Sequence, residues 1–322
     1  MSGNAPAWQV VGLTKRFAAV AAVDAVSLRL RPGEIHGLVG ENGSGKSTLI
    51  KMLSGAYQPD AGTILRDGVP LALRDPGSAR AAGVATVFQE FSLVPNLSVA
   101  ENIFLGRLPT KRAQVDWRTL RRAAAGVLAE MDVRIDVDAT LGGLSVAEQQ
   151  IVEIAKALAA DASMIILDEP TTALGIAEIV RLHSLLKRLK AQGRAILYIS
   201  HRLDEVVQLV DCVTILKEGR VASSVEKSRV EIPYIVRTMV GDVAEHYPKE
   251  RNTTDRVLLI VERLATANRI RDVSFQVHRG EVFGIGGVLG SGRTELARAL
   301  FGVDAVTAGT IRMNGQPVQF AS

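Results

Sequence analysis

The sequence predicts an α/β fold, and three observations carry that prediction. Short apolar runs bounded by glycine, proline or charged residues alternate with helices of 3.6-residue periodicity. A glycine-rich loop, Gly40-Glu41-Asn42-Gly43-Ser44-Gly45-Lys46-Ser47, lies between such a run and such a helix. It fits the phosphate-loop pattern Gly-x-x-x-x-Gly-Lys-Ser/Thr. The same loop returns 247 residues later (from Gly40 to Gly287) as Gly287-Val288-Leu289-Gly290-Ser291-Gly292-Arg293-Thr294, with Arg293 in the place of Lys46.

Residues 34–40 read as a buried strand running into the first loop, and 46–54 as the helix that follows it. Residues 98–131 contain a helix at about 119–131 among mostly non-β segments, a helical subdomain inserted into the α/β core. Residues 162–167 form an apolar, β-branched run ending in Asp168-Glu169-Pro170, which suits a buried parallel strand. Over 176–191, Ile176, Ile179, Val180, Leu182, Leu185, Leu186 and Leu189 keep helical spacing, and Gly193 closes that helix. Residues 195–199 are the next buried strand. The polar stretch 241–256, with Gly241 and Pro248, reads as a linker.

The repeat extends beyond the loop. Gly33-Glu34 maps onto Gly280-Glu281, Gly55 onto Gly302, Gly62-Thr63-Ile64 onto Gly309-Thr310-Ile311, and Gly68 onto Gly315. Ser322 aligns with Asp75. The expected organisation is a first nucleotide-binding domain at 1–240, a linker at 241–256, and the N-terminal part of a second, degenerate copy at 257–322.

Composition narrows the function classes. A chain of 322 residues suits two domains, and 47% hydrophobic with 22% charged residues describes a soluble globular protein. No apolar run approaches the ~18–20 residues that span a bilayer, and the N-terminus lacks a signal-peptide pattern. The one cysteine, Cys212, excludes an intrachain disulfide and reads as a small buried strand residue. Net charge is +4, but the densest basic group (Arg107, Lys111, Arg112, Arg118, Arg121, Arg122) is broken by Pro109, Asp116 and Trp117. With no nucleic-acid-binding motif present, a solvated basic face is the better account; attraction to anionic lipid headgroups stays open.

The chemistry follows from residue types. A glycine-rich loop lets backbone N–H groups approach phosphate oxygens, and the next helix adds its positive end. Lys46 is placed for the β- and γ-phosphates and Ser47 for Mg²⁺. Asp168, at the end of an apolar strand, is placed to hold Mg²⁺ through water, and Glu169 to polarise an attacking water.

These residues resemble those of the ATP-binding subunit of an ABC transporter. Leu144-Ser145-Val146-Ala147-Glu148-Gln149-Gln150 is similar to the family signature that begins Leu-Ser-Gly-Gly-Gln, with Val146 and Ala147 replacing both glycines. Ile151 to Lys156, Asp168 to Leu174 and Ile199 to Glu205 look like the tandem ATPases that power bacterial monosaccharide uptake. The resemblance covers essentially the whole chain. It implies an α/β P-loop NTPase fold of ABC type with an inserted helical subdomain and a partial second copy.

The resemblance also assigns roles. It implies ATP contacts from Phe17, Gly40, Glu41, Asn42, Gly43, Ser44, Gly45, Lys46, Ser47 and Thr48, with Phe17 stacking on adenine. It implies Mg²⁺ held by Ser47, Gln89 and Asp168, and catalysis by Glu169, His201 and Gln89. Ser145 and its helix cap the ATP of a second nucleotide-binding domain in trans. The implied function is ATP hydrolysis energising import of a monosaccharide at the cytoplasmic face of the bacterial inner membrane. The implied partners are a membrane permease and, through it, a periplasmic sugar-binding protein; no nucleic acid is implied. Two alternatives stay open: a soluble, non-transport tandem ABC protein, and a truncated ATP-binding product without transport activity. Gly175, where relatives carry aspartate, and Arg293, in the lysine position of the second loop, depart from the pattern.

Overall fold

The computed structural model describes residues 7–241, 253–267, 270–287 and 290–318. They form two compact units, Met1–Val243 and Ala244–Ser322. The expected linker at 241–256 lies largely outside the described residues.

The first unit opens with strands β1 (Trp8–Phe17), β2 (Val20–Leu30) and β3 (Ile35–Gly40), then helix α1 (Lys46–Leu53). Next come β4 (Ala61–Arg66), β5 (Val69–Leu71), α2 (Pro76–Ala81) and β6 (Val84–Val87). A helical segment follows: α3 (Val99–Ile103), the two-residue strands β7 (Thr110–Lys111) and β8 (Gln114–Val115), α4 (Trp117–Glu130) and α5 (Val146–Leu158). The core resumes with β9 (Met164–Asp168), α6 (Ile176–Ala191), β10 (Ala195–Ile199), α7 (Leu203–Leu209), β11 (Cys212–Lys217), β12 (Arg220–Glu226) and α8 (Ile232–Val240).

Among the described residues, two sheets organise this unit. One is antiparallel in the order β2-β1-β4-β5; the other runs β12-β11-β3-β10-β9-β6. In the second sheet β11, β3, β10, β9 and β6 are mutually parallel, and only the edge strand β12 is antiparallel. Its central strands are buried on both faces, which explains their unbroken apolar sequence. Ile35, Val39, Ile196, Tyr198, Ile165 and Leu167 face the helices. Leu38, Leu197 and Ile166 face the antiparallel sheet and α1.

Local sequence sets the helix starts. Ser98 and Ser145 each form a capping box, with Glu101 and Glu148 respectively. Asp116 caps α4 by accepting from Thr119 N–H at 3.1 Å, so that helix begins two residues before the expected 119. Leu120, Ala124 and Leu128, one turn apart, bury its inner face. Helix α6 spans 176–191 as expected and stops before Gly193 at φ 84°. Its apolar stripe is narrower than the sequence predicts: Ile176 and Val180 are 76% and 59% exposed, while Ile179, Leu182, Leu185, Leu186 and Leu189 are buried. Gly175 gives the first turn of α6 no side-chain cap.

The second unit contains β13 (Val257–Thr266), β14 (Val273–His278), α9 (Arg293–Leu300), β15 (Val306–Met313) and β16 (Gln316–Pro317). Its described strands form one antiparallel sheet, β14-β13-β15-β16, repeating the β2-β1-β4-β5 order of the first unit. Residues 282–287, the repeat counterparts of β3, form no strand, and Val282 is 99% exposed where its counterpart Ile35 is fully buried.

That contrast is measurable. Ile35→Ala is expected to lower the stability of the first unit by about 2–5 kcal/mol, the range for a large-to-small change in a packed core. Val282→Ala is expected to change the second unit by no more than about 0.5 kcal/mol, as for a surface position. Urea unfolding, followed by tryptophan emission for the first unit (Trp8 and Trp117 both lie there) and by circular dichroism for the whole chain, checks both. Equal losses would contradict the burial difference.

Candidate functional site

The loop between β3 and α1 takes its shape from crowding. A Cβ on Gly40 would stand 2.4 Å from the Leu216 carbonyl oxygen, and one on Gly45 would stand 2.4 Å from that of Ala22. Gly45 also has φ 101°, a left-handed conformation open to glycine and strained for other residues. The N–H groups of Gly43, Gly45, Lys46 and Ser47 find no acceptor among the described residues. A helix start with free N–H donors is an anion cradle. Lys46 curls back into it: Nζ donates to the carbonyls of Gly40 at 2.7 Å and Glu41 at 2.8 Å. Burial holds the Lys46 pKa below the ordinary lysine value, opposed by the charges of Glu169 and Asp168. Ser44 is buried, Lys46 and Thr48 are half-buried, and Glu41, Asn42 and Ser47 are exposed.

The carboxyl ends of β9 and β10 bring in the acids. Asp168 is the last residue of β9, paired with Ile199. It is buried, and desolvation, with the charge of Glu169 second, raises its pKa to about 6 against the pull of Lys46 and Lys51. Glu169 turns away with φ 50°, its N–H donating to the Ile199 carbonyl at 3.0 Å. Its Oε2 lies 2.8 Å from His201 Nδ1, and its carbonyl accepts from Thr172 Oγ1 at 3.0 Å. Lys46, Asp168, Glu169 and His201 are thus one cluster.

The other sequence-predicted residues, Gln89, Phe17 and Ser145, have no hydrogen bond or ion pair to this cluster among the described residues. Gln89 is exposed in a bend two residues after β6, whose Val87 pairs with Leu167 beside Asp168. Phe17 is half-exposed at the end of β1, edge-on to Tyr57 at 5.5 Å between ring centroids, with Lys15 Nζ 5.8 Å from its own centroid. Ser145 is exposed at the start of α5; its hydroxyl donates to Glu148 Oε2 at 2.7 Å. Among the described residues Ser145 has no bond to the P-loop.

Sequence reasoning missed a supporting network. Buried Glu205, on α7, accepts from Thr171 Oγ1 at 2.8 Å and from Tyr198 OH at 2.9 Å, and its other oxygen lies 2.7 Å from Arg202 Nη1. This ties the loop after Glu169 to the segment that carries His201. The available signal was an acid three residues after Arg202 on a helix whose next inward residues, Val206 and Leu209, are apolar.

In the second unit, Gly292 has φ 95° and α9 begins at Arg293, as α1 begins at Lys46 after Gly45. Val288 and Leu289 of that loop lie outside the described residues. A cavity of about 400 Å³, lined by Ser54, Arg80, Phe88, Ser92, Arg107 and Glu153 among others, includes no P-loop residue. Among the described residues no helix is long and apolar enough to cross a membrane.

A family model described as ABC transporter matches residues 23–172 and 270–322. The chain is 46% identical over 317 residues to a ribose import ATP-binding protein of Rubrobacter xylanophilus, covering 98% of this chain and 63% of that one. It is also 46% identical over 316 residues to a putative ribose/galactose/methyl galactoside import ATP-binding protein of Burkholderia ambifaria, covering 98% and 61%. The chain therefore spans less than two thirds of these relatives. Among solved structures, a nucleotide-free ATP-binding cassette from an ABC transporter aligns with TM-score 0.65 at 24% identity, over 74% of this chain and all of that one. The cbiO1 protein of Clostridium perfringens, part of the ABC transporter complex cbiONQ, aligns with TM-score 0.61 at 26% identity, over 71% and 92%.

The raised pKa of Asp168 has a stability consequence. Its folded value of about 6 exceeds the unfolded carboxylate value near ~4. The folded chain therefore binds the extra proton between those values, and stability is lost as pH rises from ~4 through ~6. Asp168→Asn removes that penalty. In chelator-containing buffer the variant is expected to be more stable than wild type by about 1–3 kcal/mol at neutral pH, with the gap shrinking as pH falls through 6. A gap independent of pH between 4 and 7.5 in thermal or urea unfolding would contradict the assignment.

Proposed function

We propose, from the premise that this chain belongs to the ABC transporter family, that it binds and hydrolyses ATP to energise import of a monosaccharide. The observation that carries the reading is the convergence of Lys46, Asp168, Glu169 and His201 beside an N–H-lined loop. The cargo class rests on the relatives, whose names specify ribose or galactose import.

The residues fit Mg-ATP. The free N–H donors and Lys46 suit the phosphates, the half-exposed Phe17 suits a base, and Ser47, Asp168 and Gln89 supply oxygen donors of the kind Mg²⁺ takes. Mg-ATP, when bound, supplies the γ-phosphoryl group that passes to water. Lys46 leaves its carbonyl partners to neutralise phosphate charge. Asp168, buried and reluctant to ionise alone, would be kept as a carboxylate by the cation it helps to hold. Glu169 accepts a proton from the attacking water, and His201, paired to it at 2.8 Å, orients that carboxylate. The reaction depends mainly on positioning and charge.

In this reading 1–240 is a first nucleotide-binding domain, 241–256 a linker and 257–322 the beginning of a degenerate second one. Ser145, at the exposed tip of α5, offers a helix N-terminus to ATP held by another nucleotide-binding domain. The protein works peripherally at the cytoplasmic face of the inner membrane, with a permease and, through it, a periplasmic sugar-binding protein, and without nucleic acid.

Two measurements test the assignment. Lys46→Ala is expected to weaken ATP binding at least tenfold, ~1.4 kcal/mol; unchanged affinity in equilibrium titration would overturn it. Glu169→Gln is expected to retain ATP binding while slowing turnover by ~100-fold or more, the scale of lost general-base help. Steady-state phosphate release in a preparation that hydrolyses ATP checks this, and normal turnover by the variant would remove Glu169 from the role.

A further inference from the structure

Glu34, His36 and Cys212 meet at the end of β3 opposite the P-loop. The parallel register sets Cys212 directly beside His36, and Glu34 lies two residues earlier on the same face. That face also carries Leu38, which packs against Leu28 and Leu30 of the antiparallel sheet. All three side chains are buried, and their ligand atoms lie within 4.8 Å of one another. Cys212 Sγ is 2.9 Å from Glu34 Oε1 and 3.0 Å from His36 Nδ1, and Nδ1 is 3.2 Å from Oε1.

We propose that these three side chains form a binding site for a divalent transition-metal ion of the zinc type. The donor set is a thiol, an imidazole and a carboxylate, which suits Zn²⁺; Mg²⁺ takes oxygen ligands alone. The site is therefore chemically distinct from the P-loop. Charge also matches, because a thiolate and a carboxylate offset a doubly charged cation. Binding displaces the Cys212 thiol proton to solvent.

The surroundings orient the donors. His36 Nε2 is 2.8 Å from Thr214 Oγ1, which is 3.0 Å from Ser224 Oγ. When Nε2–H donates to Thr214 and Thr214 passes its hydrogen to Ser224, Nδ1 presents a lone pair toward Sγ and Oε1. Such a partner on the far ring nitrogen is what fixes a ligating histidine. Arg31 Nη1 engages the other carboxylate oxygen, Glu34 Oε2, at 3.5 Å, leaving Oε1 to the ion. Zinc bonds of ~2.0–2.3 Å in a tetrahedron require donor separations of about 3.3–3.6 Å, so Sγ must draw about half an ångström away from the other two atoms, whose own 3.2 Å separation already nearly fits. Arg31, and Glu226 opposite Cys212 in the ladder, flank the cluster with side chains 55% and 64% exposed. A bound ion would join β3 to β11 across the sheet.

Cys212 is the sole cysteine of the chain, so a thiolate-to-metal signal has one source. The full chain, stripped with a chelator, is titrated with Co²⁺ and then Zn²⁺. One Co²⁺ per chain is expected to give a thiolate-to-cobalt charge-transfer band in the near ultraviolet, which Zn²⁺ abolishes and excess Mg²⁺ leaves in place. Cys212→Ser is expected to lose the band, and His36→Gln to weaken Co²⁺ binding at least tenfold, with circular dichroism confirming that each variant is folded. Zn²⁺ is expected to raise the melting temperature of wild type and leave that of Cys212→Ser unchanged. Absence of a thiolate band in folded wild type overturns the proposal whatever the variants do. A band that survives His36→Gln at unchanged affinity overturns it too, assigning the signal to adventitious thiol binding.

Discussion

Strand β3 is hydrogen-bonded along both edges, to β10 and to β11, and buried on both faces. Everything in the site depends on that double pairing. A strand so enclosed has no free backbone groups along its length, so it presents chemistry only at its ends. Its carboxyl end is Gly40, where a side chain would strike the Leu216 carbonyl of the neighbouring strand. Because β9 and β10 run parallel to β3, they release Asp168, Glu169 and His201 along the same sheet edge. Ligands of open parallel sheets lie at the carboxyl ends of the strands for this reason.

The same enclosure sets the electrostatics. Asp168 is held in the sheet by its pairing with Ile199, and burial raises its pKa more than Lys46 and Lys51 lower it. Lys46 is itself depressed by burial and spends its donors on two carbonyls of its own loop. Even with Lys46 and Lys51 nearby, the Asp168 pKa stays raised. In the proposed reading a divalent cation held by Asp168 would supply the missing charge, and phosphate oxygens would be better acceptors for Lys46 than neutral carbonyls are. That charge balance is one the proposed metal nucleotide would complete.

Much of this was legible in the sequence because the signals are local. The loop glycines, the apolar run into Asp168-Glu169 and the heptad-like spacing of 179–189 each specify their element within a few residues, and β10 and α6 have the predicted limits. What escaped depends on distant partners. Ile176 and Val180 fit the helical period yet face outward, because periodicity marks a stripe but not which of its residues meet a neighbouring element. Glu205 reads as an ordinary helical acid; only the fold brings Thr171 and Tyr198 to it. Cys212 is a buried strand residue as its context predicts, yet the register of β11 against β3 gives it polar neighbours 176 and 178 positions away in the chain.

The second unit separates local from tertiary causes within one molecule. Its Gly292 adopts the same left-handed turn as Gly45, and its helix starts at the equivalent residue. Even the close packing recurs: a Cβ on Gly287 would stand 2.4 Å from Ser291 Oγ, and one on Gly40 would stand 2.5 Å from Ser44 Oγ. The strand leading into that loop does not recur. Residues 282–287 carry the same kind of apolar sequence as β3, but none of the described residues of that unit offers them the two parallel edges that β10 and β11 give β3. A glycine turn and a helix start are satisfied by their own backbone, whereas a central parallel strand is satisfied only by its neighbours. The turn and helix start are thus set locally, whereas the edge that gathers Asp168, Glu169 and His201 in the first unit belongs to its parallel sheet.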